Sequence, residues 1–245
     1  MNIPPERAAK KTATLWERPE PATRPAPSPL SREKIVGAAI AIADMDGLEA
    51  VSLRKVGASL EARPMRLYTY LSTKEELLDL MVDAVLGETY GETTSLPSAQ
   101  SDWRDALRAF AHRTRQACRK HPWFIELLAG RPHLGPNALA HLETTLAHLK
   151  DVPEFDDIDA VMRALSTVKA YTVGAIQCET SELKSGSTKA QWQEAWWPYL
   201  ERRIATGRFP MLARVIRDAS HPSLDAVFDE GLETVLAGIE TRLKG

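Results

Sequence analysis

From about residue 31 to its end, the chain repeats apolar residues at helical spacing, interrupted by short polar turns. The first run opens at Ser31 and carries Ile35, Ala39 and Ile42 on one face, with Val36, Ile40 and Ala43 beside them. Ser31 suits an N-cap, and Asp46-Gly47 ends the run because glycine accepts positive φ. Ser52 opens a second helix in which Leu53, Val56 and Leu60 share a face, while Gly57 and Ala58 admit a close neighbour. A third short helix starts at Arg63-Pro64, since proline fits a first helical position. The pattern predicts Met65 and Leu67 turned inward and Arg66, Tyr68, Thr69 and Tyr70 turned outward. Ser72-Thr73 then caps a fourth helix running through Leu77, Leu78 and Met81. Two short helices on a tight turn, the second exposing Arg, Thr and Tyr, suit the major groove of double-stranded DNA.

A polar break from Gly91 to Ser101, containing Pro97, separates this part from a second helical region. There Trp103, Leu107 and Phe110 lie on one face of a helix that ends near Lys120, and a short helix spans Trp123 to Leu128. Gly135-Pro136-Asn137 restarts a helix with the stripe Leu139, Leu142, Leu146 and Leu149, broken by Pro153. A long helix follows from Asp156 to about Leu183, and 184–190 reads as a Gly/Ser loop. Trp192 to Ile204 is helical with Pro198 as a candidate kink, Leu212 to Arg217 is short, and Pro222 opens the last helix. No strand-like alternation of useful length occurs, so the expected fold class is all-α.

Residues 1–30 hold seven prolines and little apolar content, which predicts a disordered, Pro-rich basic arm. The expected division is that arm, a helix-turn-helix domain over 31–78, and a helical effector-binding and dimerisation domain over 79–245. The net charge of −2 is unevenly spread. Five basic groups face three acidic ones in 1–30, and seven face six in 31–75, leaving nineteen against twenty-four in the remainder. Positive charge thus concentrates where phosphate would be met. Two cysteines, Cys118 and Cys178, fit a reducing compartment, and no apolar run reaches membrane-spanning length. The protein is expected in the cytoplasm, without a membrane.

The segment from Ser31 to about Leu80 resembles the DNA-binding domain of the TetR family of bacterial transcriptional regulators. The resemblance rests on "SLRKVGASL", "PMRLYTYL" and "STKEELLDLM" at matching spacing. Two positions depart from that pattern. Glu61 stands where the family has glycine in the turn, and Arg63 where a small Ser or Thr caps the recognition helix. A non-glycine residue in the turn works against positive φ. The segment "HPW…GPNAL…LETTLAHL" is similar to the ligand-sensing domain of the branch that includes the tetracycline repressor.

This resemblance implies a DNA-binding set of Ser52, Arg54, Arg63, Pro64, Met65, Arg66, Tyr68, Thr69, Tyr70 and Lys74. Arg and Thr read base edges, whereas Tyr hydroxyls, Ser52 and Lys74 suit phosphate oxygens. It also implies a homodimer joined through its two long last helices, whose candidates are Leu165, Val168, Phe228, Leu232, Val235 and Ile239. Small residues Ala160, Ala164, Ala170 and Gly174 would let the partner approach. The many aromatics suggest a cavity for a small, largely apolar effector, with Phe110, Trp123, Phe124, Leu127, Leu142 and Met162 as its wall.

The six histidines lack metal-ligand spacing: His141 and His148 lie two turns apart. No metal or cofactor is expected. Asp156, Asp157 and Asp159 read as a helix cap. Phosphate-loop, zinc-protease and nucleophile-elbow motifs are missing from the sequence, so no enzyme is expected. The expected function is a ligand-responsive repressor released from a palindromic operator. The alternative is a helical ligand-binding or scaffold protein whose helix-turn-helix meets protein.

Overall fold

The structure is a computed structural model describing residues 14–21, 30–91, 102–128, 130, 132–149, 152, 155, 157–184, 189–220 and 222–243. Among them the regular elements are helical, as the periodicity predicts. They are α1 (Arg32–Asp46), α2 (Leu53–Ser59), α3 (Pro64–Leu67), α4 (Lys74–Gly91), α5 (Trp103–Lys120) and α6 (Phe124–Leu128). There follow α7 (Pro136–Leu149), α8 (Ile158–Lys184), α9 (Lys189–Ala205), α10 (Pro210–Asp218) and α11 (Leu224–Leu243). The chain forms two compact units, Met1–Val161 and Met162–Gly245, with the division inside α8. No described helix is long and apolar enough to cross a membrane.

Local chemistry sets the helix ends. The Ser31 hydroxyl accepts the Lys34 N–H at 3.2 Å, and Ser52 does the same for Lys55 at 3.2 Å. Thr73 accepts the Glu76 N–H at 3.2 Å while the Glu76 carboxylate takes the Ser72 N–H at 2.6 Å, so two otherwise orphaned amides of the α4 start are satisfied. Asp157 caps α8 through the Ala160 N–H at 2.5 Å. The calls at Pro97, Pro153, Asp156 and most of the 184–190 loop fall outside the described residues.

In the first unit, Ile35, Ala39, Val51, Val56, Leu67, Leu71, Leu77 and Met81 form the core beneath α1–α4. The arm differs from expectation. Residues 1–13 and 22–29 lie outside the described set, but 14–21 lie against the head. Thr14 and Glu17 form a capping box around a 3-10 turn at Leu15–Glu17, and Leu15 is buried. Arg18 pairs with Glu76 and donates to the Ser72 hydroxyl at 2.7 Å. Arg32 donates to the Arg18 carbonyl at 2.8 Å. Leu15, the Arg18 contacts and the Glu20 carboxylate, which accepts the Arg32 N–H at 2.7 Å, dock a stretch whose composition reads as coil.

The buried face of α7 also differs. Ala138, His141, Thr145 and Leu149 point inward, whereas Leu139 and Leu142 are 48% and 38% exposed. Leu149 is buried as expected, but the other three positions of the stripe are displaced by one residue, about 100° around a helix of 3.6 residues per turn. Its rotation is fixed at the N-terminus, where Asp83 of α4 accepts the Ala138 N–H, and along α7, where His141 stacks on Phe110.

In the second unit Phe228, Leu232 and Leu236 give α11 its buried stripe. The Tyr171 hydroxyl of α8 donates to the Phe228 carbonyl at 2.8 Å, joining the two helices. Pro198 lies inside α9, which continues through it.

Candidate DNA-reading surface

The turn between α2 and α3 closes tightly. The Ala62 N–H donates to the Gly57 carbonyl at 2.9 Å, and a Cβ on Gly57 would lie 2.8 Å from the Ala62 oxygen. Glycine alone permits that approach. Glu61 takes φ 52°, left-handed geometry that costs a non-glycine residue about 1–2 kcal/mol. The turn therefore keeps its shape despite the unusual residue.

The short helix α3 is held by Leu67, which is fully buried, and by the turn behind it. Arg63, Pro64, Met65, Arg66, Tyr68 and Thr69 are exposed, as are Ser52, Arg54 and Lys74. Two orientations correct the sequence reading. Met65 points outward and is 74% exposed. Tyr70 points inward at 6% exposure, and its hydroxyl donates to the Leu30 carbonyl at 2.8 Å. Tyr70 follows Leu67 by three residues and shares its inner face, while Met65 lies across from it. Arg32 Nε donates to the Tyr70 carbonyl at 3.2 Å, so Tyr70 anchors the reading helix from behind. Arg54 on α2, Arg63 and Arg66 at α3 and Lys74 on α4 are cationic and exposed, and Tyr68 is half exposed.

Behind the head, α1 and α4 are tied to the α5–α6 turn. Asp44 Oδ1 accepts from Trp123 Nε1 at 2.7 Å and from His121 Nδ1 at 2.8 Å. His121 Nε2 lies 3.3 Å from Glu88, which also accepts from Lys120 Nζ at 2.6 Å. Burial pushes the Glu88 carboxyl up, but the bonds from Lys120 and His121 outweigh it and hold it below the ordinary range. These pairs are missing from the sequence reading because Asp44 and His121 lie 77 residues apart.

The cavity-wall candidates differ in burial and in partners. Trp123 is 3% exposed and bonded to α1, with Phe124 fully buried edge-on against it at 6.1 Å between centroids. Phe110 lies with His141, rings stacked at 5.2 Å. Burial, with a smaller contribution from the Arg113 charge, pushes the His141 pKa down to about 4, so its ring is neutral. Leu127 lines a groove facing α4, and Leu142 is exposed. Met162, in the second unit, is 41% exposed.

The dimer candidates divide by burial. Leu165, Val168, Phe228 and Leu232 are already buried within one chain, whereas Val235 and Ile239 are half-buried at the rim of the α11 stripe. A periodic apolar stripe reports burial and does not say against which chain. Ala160 and Ala164 are likewise buried, and Ala170 and Gly174 are exposed. The second unit also exposes Trp196, Trp197 and Tyr199 on α9 and Met211 and Val215 on α10.

Residues 96–243 match the family described as the tetracyclin repressor-like C-terminal domain. The chain is 34% identical to the HTH-type transcriptional repressor DrrR1 of Streptomyces coeruleorubidus, over 95% of this chain and 85% of that protein. It is 29% identical to the class A tetracycline repressor protein from transposon 1721 in Escherichia coli, over 87% and 92% of the two chains. Among solved structures, the TetR family protein ActR of Streptomyces coelicolor, in complex with actinorhodin, superposes with a TM-score of 0.73. The two are 26% identical, and the match covers 87% of this chain and 96% of that one.

Proposed function

Because the chain belongs to the tetracycline repressor-like family of helix-turn-helix transcriptional regulators, we propose that it is a homodimeric repressor that leaves a palindromic operator when a small molecule binds. The observation that carries this reading is the outer face of α3. Arg63, Arg66, Tyr68 and Thr69 are offered to solvent while Leu67 and Tyr70 lock the helix to its support. Arg66 and Thr69 would meet base edges, and Arg54, Lys74 and the Tyr68 hydroxyl would meet phosphates. Two copies of so short a helix, related by a two-fold axis, read an inverted repeat. Residues 31–78 then form the reading head, and 79–245 sense the effector and hold the dimer.

The ActR complex supports a small-molecule effector. The wall would draw on Phe110 and its neighbours rather than on Trp123, whose indole is committed to Asp44. The Asp44–His121–Glu88 knot supports coupling, because it ties two helices of the head to the α5–α6 turn. An effector acts only through its different affinities for the two states of the dimer. The test is to titrate one ligand with and without operator DNA. The reading requires DNA to weaken ligand binding by the factor by which the ligand weakens DNA binding, and equal ligand affinities would refute it.

A further inference from the structure

We infer that the docked N-terminal segment 14–21 is a positioning element for DNA reading: through Arg18 and Arg32 it fixes the turn that sets the direction of α3. The inference rests on the reading of α3 as the helix that meets DNA. Helix α3 has four residues, Pro64–Leu67, too few to hold a direction by themselves. Buried Leu67 and the tight α2–α3 turn hold its inner side and its start. Its far end leads into residues 70–73, and there the segment 14–21 takes hold.

The polar groups of that turn are each engaged. Arg32 Nε donates to the Tyr70 carbonyl at 3.2 Å and Arg32 Nη1 to the Arg18 carbonyl at 2.8 Å. One guanidinium thus joins the turn to the segment. Arg18 Nη1 donates to the Ser72 hydroxyl at 2.7 Å, while Arg18 Nη2 pairs with Glu76. Glu76 in turn accepts the Ser72 N–H at 2.6 Å. Burial raises the Glu76 carboxyl, but the Arg18 and Ser72 bonds and the charges of Arg18 and Arg32 hold it below the ordinary range. It is therefore ionised and matches Arg18. Glu20 adds a further tie by accepting the Arg32 N–H at 2.7 Å.

Two features set this role apart from simple stabilisation and from direct contact with DNA. The core of the head is built from residues of α1–α4 and their turns, such as Ile35, Val56, Leu67 and Met81, to which the segment adds Leu15. The head should thus fold when the segment is loosened. Arg18 already spends its charge on Glu76 and its second arm on Ser72, so it is not offered to phosphate. What the segment controls is the joint between α3 and α4. A helix tilted at that joint loses base contacts, which need alignment, and keeps the looser attraction to phosphate.

The experiment measures binding of the full chain to an inverted-repeat duplex, selected by the parent chain from random DNA, and to a scrambled duplex of equal length. Arg18→Ala should weaken binding to the selected duplex about tenfold. Leu15→Ala, which changes no charge, should weaken it about fivefold. Affinity for the scrambled duplex should stay within about twofold of the parent, and the slope of log affinity on log salt should not change. In a Glu76→Ala background, Arg18→Ala should cost less than about threefold more, because Arg18 acts through that contact. Melting curves identify a variant that fails to fold, and the other then decides. A slope lowered by about one, with both duplexes weakened alike, would make Arg18 a phosphate contact and overturn the inference. Folded variants that bind the selected duplex like the parent, or full additivity in the double variant, would also overturn it. A parent chain that selects no sequence would refute the DNA reading and this inference together.

Discussion

Asp83 of α4 caps α7: its Oδ1 accepts the Ala138 N–H at 2.9 Å, and its Oδ2 takes the Asn137 amide at 3.0 Å. Asp83 is 5% exposed. Burial pushes its pKa up, against the bonds from Ala138 and Asn137 that favour the charged form. Helix α4, which packs against α1, is thereby fastened to the start of α7.

Gly135 makes room for that contact, since a Cβ there would lie 2.2 Å from Asp83 Oδ1. Gly135→Ala should therefore cost about 1–3 kcal/mol by forcing the joint apart. A urea unfolding curve measures it, and an unchanged midpoint would show that the cap does not form.

What was legible in the chain was local. The caps at Ser31, Ser52 and Thr73, the stop at Gly47 and the end of α5 at Lys120 are set by residues within a few positions of each other. What was not legible depended on distant pairs. Tyr70 turns inward because the Leu30 carbonyl, 40 residues away, waits for its hydroxyl. The face of α7 is chosen by Asp83, 55 residues before Ala138. Of the reading-surface candidates, all but Tyr70 lie on the exposed side, since the alternation of Leu67 with polar neighbours is itself local. The partners of the aromatics, such as Asp44 for Trp123 and His141 for Phe110, were not legible, because aromatic content says how much apolar area is buried and nothing about which partner buries it.

The buried neutral His141 predicts an acid limb. Its pKa is about 4 in the fold against 6.5 for an ordinary histidine, so between these values the unfolded chain binds the extra proton. Stability from this group is full above pH 6.5, falls as the pH drops towards 4, and is constant below. The loss amounts to roughly 3 kcal/mol at most. His141→Phe should flatten the pH dependence of the unfolding free energy across that window. An unchanged slope would place the acid sensitivity elsewhere.

Substitutions on α11 should separate folding from assembly. Leu232 is 1% exposed, so Leu232→Glu buries a charge inside one chain and should unfold it, at a cost of several kcal/mol. Val235 and Ile239 are half-buried, and Val235→Glu with Ile239→Glu should give a folded monomer. Sedimentation velocity with circular dichroism distinguishes the two. A doubly substituted chain that stays dimeric would move the interface to another face.

The central claim, that α3 reads DNA as one of a symmetric pair, is met most directly by selecting binding sites from random duplex DNA. The parent chain should enrich an inverted repeat. Arg66→Ala with Tyr68→Ala should bind it more weakly by about 1–3 kcal/mol per lost contact, with melting temperature and dimer unchanged. No enrichment from the parent, or a folded double variant that selects the same sequence with the same affinity, would contradict the account.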